Sequence, residues 1–121
     1  MKILLIISAV FGLLGVALGA FGAHALKEVL SGYGKTIWEK AVFYQMIHTL
    51  AIFIVAIAQN WKGELNLLPA GWGFLIGIVL FSGSLYVLAL TDIKMLGVLT
   101  PFGGIAFIFG WGWLIWQFSK M

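Results

Sequence analysis

The chain has 121 residues, 63% of them hydrophobic and only 9% charged, a balance that cannot hide its apolar surface inside a water-soluble globule, so its solvent is lipid. The net charge of +3 rests on seven lysines with no arginine, and their scatter offers no basic stripe to follow a phosphate backbone, which excludes nucleic acid as a partner. Cysteine is absent, which removes disulfides, thiolate metal sites and cysteine nucleophiles.

The charged residues fall between four apolar stretches, Ile3 to Leu26, Ala41 to Ala58, Pro69 to Leu90 and Leu96 to Phe118. Each exceeds the ~17 residues that cross ~30 Å of hydrocarbon at ~1.5 Å per helical residue. The expected fold is an all-α membrane protein, an antiparallel bundle of four transmembrane helices in one domain over residues 1–121. The spans are placed at approximately 3–26, 37–59, 69–91 and 97–118.

In the first stretch, Lys2, an apolar run and Ala23-His24-Ala25 have the outline of a signal peptide, but the run is longer than the ~7–15 residues of an h-region. It is therefore expected to stay as the first span. Gly15, Gly19 and Ala23 recur at four-residue spacing, as do Ser8 with Gly12, Gly73 with Gly77 and Ala106 with Gly110. Such small-residue strips let helices approach closely in lipid. They are read as contacts within the chain, with self-association through Gly15-x-x-x-Gly19 as the rival.

Lys27 to Lys35 mixes polar and apolar residues and is expected to lie along the interface, with Gly32 and Gly34 turning the chain into the second helix. Thr36-Ile37-Trp38-Glu39 has the form of a capping box and predicts that this helix starts near Ile37. Within it, Tyr44, Gln45 and His48 share one side, with Thr49 at the edge. Two readings stand: an interhelical hydrogen-bond cluster around a neutral His48, or a ligand or proton site, because an ionisable group at that depth marks function by default.

The polar link Gln59 to Leu68 is short, which makes its flanking helices antiparallel. Pro69 suits the first turn of the third helix, and Pro101 the first turn of the fourth. The residues Leu96 to Leu99 are accordingly expected to form a break or kink. Ser82 and Ser84 are expected to return their hydroxyls to their own helix, four residues back. Asp92 and Lys94 form a solvated turn.

Lysines divide four to three between the two sides, which leaves orientation open. Trp61, Trp72, Trp113 and Trp116 fall on the side of the termini and Trp38 on the other, as an interfacial belt. A metal site would require His24 and His48 to converge, and no ligand spacing supports one. No acid pair or activated nucleophile is visible and no cofactor motif is present, so the chain is read as neither an enzyme nor a holder of metal or cofactor.

Gly19-Ala-Phe-Gly-Ala-His-Ala-Leu26, Trp38 with Ala41-Val-Phe-Tyr-Gln-Met-Ile-His48, Leu80-Phe-Ser-Gly-Ser-Leu-Tyr86 and Leu99-Thr-Pro-Phe-Gly-Gly104 stand in this order along the chain. Together they resemble the signature blocks of the domain of unknown function 423, whose bacterial members are described as YwdK-like. The resemblance implies a four-helix protein of the bacterial inner membrane and brings no activity, substrate or cofactor with it. It directs the search for a site to His24, Tyr44, Gln45, His48, Ser82, Ser84, Thr100 and Pro101. A fainter likeness between Leu18–Leu26 and Leu99–Phe107 would make the first and last helices packing partners.

The leading functional reading is a structural or assembly role, including binding of membrane lipids, a second copy or another membrane protein. The alternative is a small permease or channel centred on His48. The charged acids Glu28, Glu39, Glu64 and Asp92 all flank the spans and are not placed to couple protons across them.

Overall fold

The computed structural model describes residues 1–121 and is helical almost throughout. In lipid every backbone N–H and C=O must be paired within the protein, and a chain this apolar meets that demand by winding into helices. Four are long and apolar enough to cross a membrane: Lys2–His24, Gly32–Trp61, Leu68–Thr91 and Lys94–Phe118. The first two are α1 and α2. The third span is α3 (Leu68–Gly77), a π-helical turn at Ile78–Ser82, and α4 (Gly83–Thr91). The fourth is a 3₁₀ segment at Lys94–Val98 leading into α5 (Thr100–Phe118).

The prolines sit in the first turns of α3 and α5. The break expected at Leu96–Leu99 is the 3₁₀ segment, whose tighter i→i+3 bonds hand the chain to Pro101 at the start of α5. α4 ends on Asp92, which takes the left-handed conformation at φ 57° while its N–H bonds Leu88 O at 2.8 Å.

The start of α2 differs from the expectation. It begins at Gly32, where Ser31 Oγ accepts from Gly34 N at 2.9 Å. Leu26 and Leu30 in the preceding turn are buried against Trp38, which draws this segment onto the helix and lets α2 extend upstream. The box at Thr36–Glu39 then lies inside a helix whose N–H groups are already paired, so no orphan donors remain for it to cap. Thr36 instead donates to Gly32 O at 3.1 Å. Gly32 and Gly34 are helical, and the turn is made by the residues before Ser31.

The bundle is open. α1 packs along α2, α2 along the third span, and the third span along α5. The apolar stretches of the first and fourth spans are only 17% and 22% buried, against 44% for the two middle spans, so the outer spans offer most of their surface to lipid. The main core joins Leu4, Ile52, Val55, Phe74, Ile78 and Phe107.

Glycines and aromatic rings fit reciprocally between the third span and α5. Phe107 covers Gly77, Phe74 covers Gly110, and the backbone of Phe81 lies directly against Gly103. Gly73 faces Phe109 in the same interface. Along α1, Gly15 meets Met46 and Gly19 meets Val42, both on α2. The seam continues through Gly22, which sits under the Trp38 indole, and not through Ala23, which is exposed. A helix of ~3.6 residues per turn drifts out of a strict four-residue repeat, and the contact passes to the residue one position earlier.

Two further expectations are corrected. α1 and α5 are not packing partners, because α1 spends its glycines on α2 and α5 spends its glycines on the third span. Trp38 is no belt residue: it is buried, and its Nε1 donates to Leu18 O of α1 at 2.9 Å.

Candidate functional site

Tyr44, Gln45 and His48 share a side of α2, yet the structure sends them to different neighbours. Gln45 bridges α1 and α4. Its Nε2 donates to Phe11 O at 2.9 Å, and its Oε1 accepts from Tyr86 Oη at 2.5 Å. The amide thus supplies one donor and one acceptor at a depth where neither would find water.

His48 turns towards α5. Its ring stacks on Phe107, with centroids 3.6 Å apart and planes 9° apart, and Phe74 and Trp111 close the sides. Trp111 Nε1 donates to Nε2 at 3.1 Å, and Nδ1 lies 2.8 Å from Tyr44 O. An indole N–H only donates and a carbonyl only accepts, so the partners place the proton on Nδ1 and use both ring nitrogens. The arrangement fixes a neutral imidazole between two helices. Tyr44 supplies this carbonyl, and its ring packs on Phe81 at 4.5 Å.

The serines serve other contacts than those expected of them. Ser82, in the π turn, donates across to Ala41 O of α2 at 2.7 Å. Ser84 reaches Phe81 O at 3.0 Å, three residues back, and shares a 2.7 Å hydrogen bond with Thr100 Oγ1 at the start of α5. The π turn widens the helix there, which changes the carbonyl each hydroxyl can reach. Among buried side-chain polar atoms only Thr49 Oγ1 has no partner.

A second polar set escaped the sequence reading. Gln59 Nε2 donates to Leu65 O at 2.7 Å and Gln59 Oε1 accepts from Leu67 N at 2.6 Å. Asn66 N donates to Gln117 Oε1 at 3.1 Å, and Trp113 Nε1 donates to Asn66 O at 2.7 Å. These bonds tie the link between α2 and α3 to the end of α5. Gln59 and Gln117 stand near helix ends, where an amide reads as a solvated residue, and no local spacing reveals their partners.

His24 joins none of these groups. It is exposed at the end of α1, and no three side chains of His, Cys, Asp or Glu type come together anywhere in the chain. His24 instead stands at the mouth of a groove of about 1030 Å³ between α1 and α2. Lys27, Lys35 and Glu39 share that mouth, while Val42, Phe43, Met46, Ile47 and Leu50 line the part below it. A smaller recess of about 280 Å³ lies between α1 and the third span, with Gln45 and Tyr86 in its wall.

The six side chains singled out from the sequence therefore occupy four places: the His48 stack with Tyr44, the Gln45 bridge, the serine contacts of the third span, and the groove mouth at His24. None of these assembles a nucleophile with a base. At about 1030 Å³ the groove has room for a ligand of lipid size, which the 280 Å³ recess beside Gln45 and Tyr86 does not.

The family model described as "Protein of unknown function (DUF423)" matches residues 18–104. The UPF0382 membrane protein SAB0533 of Staphylococcus aureus (strain bovine RF122 / ET3-1) is 46% identical over 115 residues, covering 95% of this chain and 93% of its own. The UPF0382 membrane protein SH2409 of Staphylococcus haemolyticus is 47% identical with the same coverage. The UPF0382 membrane protein YwdK of Bacillus subtilis is 46% identical over 112 residues, covering 92% of this chain and 91% of its own. No solved structure matches the chain. With a family model over most of its length and bacterial membrane proteins aligned nearly end to end, this four-span chain belongs to the DUF423 family of membrane proteins.

Proposed function

We propose that this protein is a non-catalytic structural component of the membrane that works by holding lipid against its lateral surface. The observation that carries the reading is the groove between α1 and α2, apolar along its length and polar only at its mouth. A detergent-sized or lipid-sized apolar recess facing hydrocarbon is filled by acyl chain, since an empty one forfeits dispersion contacts along its whole lining.

The use of the intramembrane polar groups supports the same reading. His48 has both nitrogens engaged and a phenyl ring against its face, and Gln45 is spent on α1 and α4. A proton or solute path needs polar groups that face a cavity and exchange partners. Here those groups close upon one another, as bonds that hold helices in register do.

Two measurements on purified protein test this. Added phospholipid raises the melting temperature in detergent saturably, because a ligand that binds only the folded state stabilises it by mass action. Reconstituted protein passes no more solute or protons than empty liposomes, and His48→Ala lowers melting without altering that baseline. Melting indifferent to phospholipid at every concentration, or a flux abolished by His48→Ala, contradicts the proposal.

A further inference from the structure

We infer that the groove between α1 and α2 is a site for an anionic glycerophospholipid, its phosphate held at the mouth by Lys27 and Lys35. This rests on the lipid-holding reading above and adds the class of head group.

The depth of the groove fits one leaflet. From Glu39 at the mouth to Leu50 at the base, α2 rises about 16 Å at ~1.5 Å per residue, close to half of the ~30 Å hydrocarbon core. The apolar lining over that distance comes from Val42, Phe43, Met46 and Ile47 on α2. Gly19 and Gly22 on α1 keep the opposite wall low. An acyl chain laid in this trough brings its glycerol and phosphate to the level of His24, Lys27, Lys35 and Glu39.

The charge at that level selects the head group. Lys27 and Lys35 present two ammonium groups against the single carboxylate of Glu39, and neither lysine is engaged in a salt bridge within the protein. Both are exposed and end long flexible stems, so they can meet a phosphate without leaving water. A zwitterionic head would bring a further cation to a mouth that already has an excess of them. A head bearing only the phosphate charge meets no such repulsion. His24 adds a ring nitrogen at the same level for the glycerol or phosphate oxygens.

The test is native mass spectrometry of the protein released from vesicles of equal phosphatidylglycerol and phosphatidylethanolamine, with the retained lipid identified by mass. The wild type should carry phosphatidylglycerol over phosphatidylethanolamine by at least about fivefold, the scale of one lysine acting on an anionic lipid. Lys27→Gln and Lys35→Gln together should erase that preference, and Glu39→Gln should increase it. All three side chains are exposed, so melting temperatures should hold and confirm that the variants are folded. Lipid retained without head-group preference in the wild type overturns this inference and leaves the groove reading standing. A preference that survives in the folded double lysine variant also overturns it. No retained lipid at all overturns both readings.

Discussion

At the scale of single residues, the fold depends on positions where no Cβ can be admitted. Gly103 lies against the Phe81 backbone, which cannot rotate away as a side chain would. Gly103→Ala should therefore destabilise by more than about 3 kcal/mol, at the severe end of overpacking. Its neighbour Gly104 faces open space, and Gly104→Ala should be neutral or raise stability by up to ~1 kcal/mol through helix propensity. Melting of the two variants in one detergent checks the pair. At His48, Trp111→Phe removes one hydrogen bond and should cost about 0.6–2 kcal/mol. His48→Ala also vacates the face of Phe107 and should cost about 2–4 kcal/mol. Equal losses for the two would mean that the stacking contributes nothing. The spacing on α2 groups Tyr44, Gln45 and His48 on one side and offers interhelical hydrogen bonding as one of two readings. Their separate partners, Trp111 and Tyr86, were not legible, because an indole or phenol in an apolar run reads as packing until a distant acceptor is known.

At the scale of elements, the ends of the helices separate local from tertiary signals. Pro69 and Pro101 mark the starts of α3 and α5 correctly because the missing N–H and fixed φ of proline act within one turn. The start of α2 was misread because the choice between Ser31 and Thr36 as cap is made by the burial of Leu26 and Leu30 under Trp38, a contact between segments. Ser31→Ala should consequently cost about 1 kcal/mol and speed hydrogen exchange at Gly34 and Lys35, while Thr36→Ala should stay within about 0.5 kcal/mol. The reverse order would restore the capping box. The glycine strips were legible as packing surfaces, but the drift of the seam from Ala23 to Gly22 depends on how α1 lies along α2.

At the scale of the whole molecule, the four long charge-free stretches dictate four crossings, since a helix pairs its backbone in lipid within a single segment. The order in which the spans pack is not written in composition. The glycines decide it: Phe74 of α3 covers Gly110 of α5, Phe107 and Phe109 of α5 cover Gly77 and Gly73 of α3, the Phe81 backbone lies on Gly103, and α2 receives the glycines of α1. That pairing leaves α1 attached along one side and opens the groove between α1 and α2, which no motif announces. His24 was singled out among the residues at which to look for a site and stands at the mouth of this groove, whose lining the sequence did not reveal. Whether this groove holds lipid is decided by filling it. Ala23 lies exposed in its wall, so Ala23→Trp puts an indole into the space. Native mass spectrometry of both proteins released from the same membranes should show lipid retained on the wild type and lost from folded Ala23→Trp; equal lipid on the two would contradict the claim.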